Sequence, residues 1–332
     1  METPITIGIN GFGRIGRTLF RLLLDHPKIK VVAVNDIANG TTMAHLLKYD
    51  SIHGVLPNKV MFSEGKLHVD DTSFLYTSEK ELDNLDWTGV DIVIEATGKF
   101  KTKNFLQKHI EKGAQKVILS VPPMDDNIKT IVLGVNEATL ESSDTIISNA
   151  SCTTNNAAPM LKVIHELCGI EQAYITTVHS YTTDQSLHDQ PHRDLRRARA
   201  AGQSIVPTTT GAAKALTKIF PDLANVIGGC GIRVPVANGS LTDITFNVSR
   251  ETSIEEINMA FKKASETSLK SILQYTQDPI VSVDIVGNTH SCIFDSEMTS
   301  VIGKMVKIIG WYDNEMGYST RIVDLILQIS RK

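Results

Sequence analysis

Eight consecutive residues, Ser148-Asn149-Ala150-Ser151-Cys152-Thr153-Thr154-Asn155, place one cysteine among hydroxyl and amide side chains, just before an apolar helical run. A cysteine kept for packing sits among Val, Leu and Ile; this one sits among hydrogen-bond donors at the start of an expected helix. A helix N-terminus stabilises a thiolate, and the thiolate is the nucleophile. The stretch therefore reads as a reactive sulfur awaiting an electrophile. Such a sulfur needs a base. Among ten histidines, His179 ends the apolar run Ile175-Thr176-Thr177-Val178, where a polar segment begins, and active-site groups favour such loop junctions over strand middles. An imidazole there would lower the thiol pKa and remove a proton from substrate. The pattern leaves the pairing open, because an isolated histidine is by default a hydrogen-bonded core residue. His26, His45, His53, His68, His109, His165 and His290 keep that reading.

Groups suited to anions gather in the second half: Ser151, Thr153, Thr182, Asp184, Arg196, Arg197, Arg199, Thr208 to Thr210, Gly211 and Arg233. Thr208-Thr209-Thr210-Gly211 precedes a helical pattern, which makes it a capped start, a phosphate site, or both. Arg233 lies in an apolar run, Gly231 to Pro235, where a buried guanidinium requires an anionic partner, protein or ligand. The Arg196-Arg197 pair reads as structural or as part of a subunit contact.

A second motif serves a different chemistry. Gly11-Phe12-Gly13-Arg14-Ile15-Gly16 follows a β-rich run, Ile5 to Asn10, and opens a helical one. Gly11 suits a tight turn, Gly13 a close backbone approach to a pyrophosphate, and Gly16 close helix–strand packing. The helix start offers free N–H groups to phosphate. Asp36 ends the next apolar run about 20 residues after Gly16, where a carboxylate accepts both ribose hydroxyls and repels a 2′-phosphate. Strand, glycine motif and carboxylate together point to NAD. Arg14 reads equally as a pyrophosphate contact and as a surface helix residue.

These residues need elements to hold them. Ile5 to Asn10, Gly13 to Leu24 and Lys30 to Asn35 form an expected βαβ unit. Lys59 to Val69 reads as a hairpin turning at Glu64-Gly65. Asp91 to Ala96, Lys116 to Ser120 and Thr130 to Leu133 read as buried strands, with a helix over Asn104 to Lys112. In the second half, alternating strands at Ala173 to His179, Ser240 to Val248 and Met305 to Tyr312 suggest an antiparallel sheet. Helices at Thr153 to Leu167, Gly211 to Ile219 and Ile254 to Thr267 would cover one face. Ser180 to Ser204 is polar and irregular, and so long a loop is usually functional. A final amphipathic helix covers Met316 to Ile329. The fold class is α/β: an N-terminal Rossmann dinucleotide-binding domain and an α+β catalytic domain with a mixed or antiparallel sheet.

Composition narrows the class. The 332 residues suggest about two domains. Hydrophobic residues are 42% and charged residues 21%, and the formal net charge is −4, which gives no bulk pull toward nucleic acid or membrane. No apolar run is long enough for a membrane span, and Met1-Glu2-Thr3-Pro4 does not resemble a signal peptide. The four cysteines form neither a disulfide framework nor a metal cluster, so no metal is expected and a cytoplasmic setting is.

Taken together, the chain resembles the glyceraldehyde-3-phosphate dehydrogenase family over nearly its whole length. The shared blocks are INGFGRIGR (Ile9 to Arg17), ASCTTN (Ala150 to Asn155), HSYTTDQ and PHRDLRRARAA, PTTTGAAKA (Pro207 to Ala215), RVP, and WYDNEMGYS (Trp311 to Ser319). The resemblance implies that Cys152 attacks an aldehyde and that His179 acts as base for hydride transfer to NAD. Inorganic phosphate would then cleave the thioester. It implies that Thr182, Asp184 and Arg233 hold the substrate's phosphate, and that Ser151, Thr153, Thr210, Gly211 and, in some states, Arg233 hold the attacking one. Phe12, Arg14, Ile15, Asp36, Lys80, Thr97 and Ser120 join the glycines at the cofactor. Asn314 would take the nicotinamide carboxamide, with Tyr318 near the ring. Residues 1–151 with 315–332 would bind cofactor, and 152–314 would carry catalysis. A homotetramer is implied, with the loop at 180–204 reaching a neighbour's cofactor site. Pro191 and the apolar Ile37 after Asp36 fit the NAD type.

Three departures stand out. Asn156 replaces the family's usual second cysteine, Glu79 to Leu82 replaces ERDP, and Val236 to Ser240 lacks the usual TPN. An erythrose-4-phosphate dehydrogenase, which releases its product by hydrolysis, is the nearest alternative. The intact TTTGAAKA block argues against it, since hydrolysis needs no site for attacking phosphate. A non-catalytic binding protein would have no reason to keep Cys152 and His179, and a cysteine hydrolase has no use for NAD.

Overall fold

The computed structural model describes residues 3–330. Met1 and Glu2, on which the reading of the extreme N-terminus partly rests, lie outside them, as do Arg331 and Lys332. The chain divides into two compact units. One comprises Met1–Ile131, Ala138–Ala150 and Ser319–Lys332; the other comprises Val132–Glu137 and Ser151–Tyr318.

The first unit is a doubly wound sheet. Its strands and helices are β1 (Ile5–Asn10), α1 (Arg14–Leu23), β2 (Ile29–Asn35), α2 (Gly40–Lys48), the short ladder β3 (Tyr49–Asp50) and β4 (Gly54–Val55), and then β5 (Val60–Ser63), β6 (Lys66–Val69) and β7 (Thr72–Thr77). After these come β8 (Ile92–Glu95), α3 (Lys103–Glu111), β9 (Lys116–Leu119), β10 (Lys129–Thr130) and β11 (Ile146–Ser148). The order β10-β11-β9-β8-β1-β2-β7-β6-β5 makes β1 central, with parallel neighbours β2 and β8. Connections leave β1 in both directions, so a crevice opens at the carboxyl ends of β1 and β8, the usual ligand site of such sheets. Ile7, Ile9, Val34, Val93 and Ile94 are buried, as strands covered on both faces require.

The expected hairpin turns at Glu64 and Gly65, whose φ values of 51° and 71° match a two-residue turn of the strand-compatible hand. The expected strand at Thr130 to Leu133 is corrected to two residues, Lys129–Thr130. The Val132 amide is captured by Asn136 Oδ1 at 2.7 Å, and the Val132 carbonyl accepts from the Val135 and Asn136 amides. Local turn bonds there take the groups a ladder needs.

The second unit holds α4 (Cys152–Cys168), β12 (Ile170–Ser180), β13 (Val206–Thr208), α5 (Ala212–Ile219), β14 (Ile227–Val234), β15 (Ser240–Val248), α6 (Ile254–Glu266), β16 (Leu273–Thr276), β17 (Cys292–Ile302) and β18 (Met305–Tyr312). Its sheet runs β13-β14-β12-β15-β18-β17-β16. The pairs β12/β14 and β16/β17 are parallel and the rest antiparallel, so the sheet is mixed rather than purely antiparallel. Helix α4 packs on this sheet and is buried around most of its circumference. Helix α7 (Met316–Ile329) begins in the second unit, and from Ser319 belongs to the first. No helix among the described residues is long and apolar enough to cross a membrane.

Candidate active site and cofactor groove

Cys152 is the first residue of α4. Ser151 caps the helix, its Oγ accepting from the Thr154 amide at 3.1 Å, so the sulfur stands at the positive end of a 17-residue helix. Ala150, just before, holds φ 56°, a left-handed conformation that costs a non-glycine residue free energy. The turn that presents the thiol is strained.

Strand β12 delivers the partner. His179 Nε2 lies 3.4 Å from Cys152 Sγ. His179 Nδ1 faces the Ser180 carbonyl at 2.7 Å; in the tautomer that donates there, Nε2 presents its lone pair to the sulfur. The parallel register of β12 and β14 sets Arg233 directly beside His179. Arg233 Nη1 donates to the same carbonyl at 2.9 Å and approaches Nδ1 to 2.5 Å. Burial, and after it the Arg233 charge, push the His179 pKa down to about 3. The imidazole is therefore neutral beside the sulfur. Burial pushes the Cys152 thiol up, opposed by Arg233 and by the Thr153 amide and hydroxyl.

The anion-binding candidates fall on several elements of this unit. Thr153 Oγ1 lies 2.9 Å from Tyr312 Oη. Thr210 Oγ1 accepts from the Ala212 amide at 3.2 Å at the start of α5. A Cβ on Gly211 would meet nothing within 4 Å, which leaves its backbone open to a ligand. The Thr182 amide donates to Gln185 Oε1 at 3.3 Å.

Asp184 is placed differently from expectation. Its carboxylate closes tightly on Arg197 Nη1, with His192 Nε2 3.7 Å away, so an arginine stands beside it. Arg197 also donates to Thr208 Oγ1 at 3.0 Å, and its charge acts on both His179 and Arg233. The sequence reads Arg197 as structural or as part of a subunit contact. An irregular basic run carries no periodicity that singles out one arginine; only its tie to the Thr208–Thr210 segment does. Asn314 Oδ1 accepts from Ser180 Oγ (2.8 Å), Ser240 Oγ (3.0 Å) and the Gly239 amide (3.3 Å). With the oxygen committed, Nδ2 is left to donate. Tyr318 is buried at the start of α7.

In the first unit, a cavity of about 390 Å³ is lined by Asn10, Gly11, Gly13, Asp36, Lys80, Thr97 and the apolar Ile37, Leu82 and Phe100, among others. Gly11 holds φ 96°, and a Cβ there would stand 2.6 Å from the Thr97 amide nitrogen. A Cβ on Gly16 would stand 2.2 Å from the Gly11 carbonyl oxygen, whereas one on Gly13 meets nothing within 4 Å. The turn is closed where the protein packs and open where a phosphate would lie. No side chain caps the start of α1, so its amides stay available to an anion. Asp36 accepts from the Phe12 amide at 2.7 Å and the Ala38 amide at 3.0 Å, one on each oxygen; each oxygen keeps a lone pair for a ribose hydroxyl. These features fit a dinucleotide.

The Phe12 ring is buried against Phe20, and its amide is the one that donates to Asp36. Ile15 belongs to the first turn of α1. Arg14 is bound to Asp50 through both terminal nitrogens, at 2.5 and 3.1 Å, which turns its side chain to a protein partner. Thr97 donates twice to the buried Glu95 carboxylate, and Ser120 is buried just beyond β9.

Comparison with known proteins gives the same reading. Residues 5–103 match the model of the glyceraldehyde 3-phosphate dehydrogenase NAD binding domain, and residues 151–314 match that of its C-terminal domain. The chain is 50% identical over 332 residues to glyceraldehyde-3-phosphate dehydrogenase of Geobacillus stearothermophilus, covering 99% of each. It is 50% identical over 325 residues to that of Thermotoga maritima, covering 96% of this chain and 97% of the relative. With glyceraldehyde-3-phosphate dehydrogenase 1 of Bacillus subtilis it shares 47% over 332 residues. By its two-domain match, its full-length relatives and a groove that fits NAD, the chain belongs to the glyceraldehyde-3-phosphate dehydrogenase family of NAD-dependent oxidoreductases.

Proposed function

We infer that the protein oxidises glyceraldehyde 3-phosphate with NAD and inorganic phosphate, giving 1,3-bisphosphoglycerate. The observation that carries this is the Cys152–His179 pair at 3.4 Å, with Arg233, Arg197 and Thr153 acting on it. Cys152 Sγ attacks the aldehyde carbon, and His179 Nε2 takes the proton. NAD, when bound, supplies the hydride acceptor that turns the thiohemiacetal into a thioester. An oxygen of inorganic phosphate then displaces Cys152 Sγ, which returns to take a proton. Arg233 and Thr182 are assigned to the substrate's own phosphate. Ser151, Thr153, Thr210, Gly211 and Arg197 are assigned to the attacking one, with Asp184 orienting Arg197. Asn314 Nδ2 is assigned to the nicotinamide carboxamide and Asp36 to the adenosine ribose, with Lys80, Thr97, Ser120 and Tyr318 completing the cofactor contacts. Residues 1–151 with 315–332 bind cofactor and 152–314 carry catalysis. A cytoplasmic homotetramer, in which residues 180–204 reach a neighbour's cofactor site, is the assembly that fits the family.

The test is NADH formation from glyceraldehyde 3-phosphate, with and without inorganic phosphate, beside erythrose 4-phosphate. Phosphate-dependent turnover of the triose is expected. Phosphate-independent turnover of the tetrose alone would overturn the reading.

A further inference from the structure

Four adjacent strands of the first unit end on polar side chains: β7 on Thr77, β2 on Asn35, β1 on Asn10 and β8 on Glu95. Parallel pairing sets Thr77 opposite Asn35, Asn35 opposite Asn10 and Asn10 opposite Glu95. Side chains at matched positions of parallel strands share a face, so the four stand in one row along the edge where the crevice opens. Asn35, Asn10 and Glu95 are buried. Polar groups there cost free energy unless they are bonded, and these are bonded to one another.

Groups with a single role fix the direction of the row. The Glu79 amide can only donate, and it gives to Asn35 Oδ1 at 2.8 Å, beside the Thr77 hydroxyl at 2.8 Å. Asn35 Nδ2 is left to donate, to the Glu79 carbonyl at 2.9 Å and to Asn10 Oδ1 at 2.8 Å. Asn10 Nδ2 then donates to Glu95 Oε2 at 2.6 Å. From the other side, an indole N–H can only donate, so His109 Nδ1 in α3 accepts from Trp87 Nε1 at 3.0 Å. The ring proton is left on Nε2, which faces Glu95 Oε2 at 3.0 Å. The other Glu95 oxygen accepts from the Thr97 amide at 2.9 Å and from the Thr97 hydroxyl.

None of these partners of the carboxylate is a lysine or an arginine. Such a buried group adds little to stability that apolar residues of similar size would not. What it does is fix the groups that donate to it. Asn10, Asn35, Glu79 and Thr97 line the cofactor cavity, whereas Glu95, His109 and Trp87 do not. The Thr97 amide is also the atom that a Cβ on Gly11 would meet at 2.6 Å, so holding it fixes the wall behind the glycine turn.

We propose that Glu95 and His109 are positioning residues for the cofactor: buried behind the crevice, they hold Asn10 and Thr97 at the spacing the dinucleotide requires. This rests on NAD lying at the carboxyl ends of β1 and β8. The test is NAD affinity by calorimetry on the full-length protein, well below each variant's thermal midpoint, beside KM for NAD and kcat. Glu95→Gln keeps the shape, but whichever way the amide turns, its NH2 meets an N–H that can only donate. Affinity should fall roughly tenfold or more. His109→Leu should cost roughly three- to tenfold, with kcat at saturating NAD within about twofold. His109→Gln, which can accept from Trp87 and donate to Glu95, should recover most of that loss. The double variant Glu95→Gln with His109→Leu should bind no more weakly than Glu95→Gln, because His109 acts through Glu95.

A lowered thermal midpoint with unchanged NAD affinity shows a structural role only and overturns the proposal. So does a His109→Gln as weak as His109→Leu, or a double variant in which the two losses multiply. Should the Glu95 and His109 variants fail to fold, Thr77→Val removes the donor at the far end of the row. NAD binding weaker by roughly two- to fivefold is then expected, and unchanged binding overturns the proposal. Asp36→Ala, in the same cavity, separates the two readings. If it weakens NAD binding and Glu95→Gln does not, the row alone fails; if it leaves binding unchanged, the placement of the cofactor fails and the row with it.

Discussion

At the scale of single residues, the site is a neutral pair held in a cationic surround. Arg233 is largely buried, and burial works against its charge; its side chain meets a carbonyl and an imidazole, the Ser180 carbonyl oxygen and His179 Nδ1. An anionic ligand relieves that cost more effectively than either. Cys152→Ser should abolish NADH formation while NAD binding, measured by calorimetry, is retained, because the cofactor cavity lies among other residues. His179→Asn should lower turnover by roughly 10²–10⁴-fold, the range for a lost general base. Near-normal turnover in either variant contradicts the mechanism. The cysteine was legible because its neighbours are polar, and Asp36 because it follows a glycine turn at a set spacing. The spent states of Arg14 and Asp184 were not legible. Each depends on a partner, Asp50 or Arg197, that no local pattern ties to it.

Among the elements, the glycine turn is the most constrained. Gly11 combines a positive φ with a backbone atom where its Cβ would stand. Gly11→Ala should weaken NAD binding at least tenfold and lower the thermal midpoint by several degrees, the scale of a strained backbone in a close-packed turn; unchanged affinity would show that the turn does not cradle the cofactor. Most elements were readable because period and boundary agreed, as in β15, β18 and α7. Helix α2 was missed because it opens Gly40-Thr41-Thr42, all weak helix formers. Strand β17 was missed because Asp295, Ser296 and Glu297 interrupt its apolar run, at the irregularity in its pairing with β18. The parallel pairing of β12 with β14 is a long-range choice that no strand pattern encodes.

For the molecule as a whole, the same histidine links function to acid stability. The native state refuses a proton at His179 until about pH 3, whereas an unfolded chain takes one below about pH 6.5. This contribution is fully present above pH 6.5 and is lost as pH falls toward 3. Urea midpoints at pH 7.5 and pH 5 should therefore differ less in His179→Asn than in the unaltered protein; an equal difference would remove His179 from the acid response. The split of α7 between the units has a further effect, on biosynthesis. The first unit has its parallel strands by residue 148, yet the buried Ile322, Leu325, Ile326 and Ile329 that complete it are made only after the whole of 151–318. A nascent chain therefore carries an unfinished nucleotide domain through nearly the whole of translation. Release of a chain stopped before Ser319 should give a protein that binds hydrophobic dye and is cleaved within residues 3–130 by limited proteolysis, while the full chain resists.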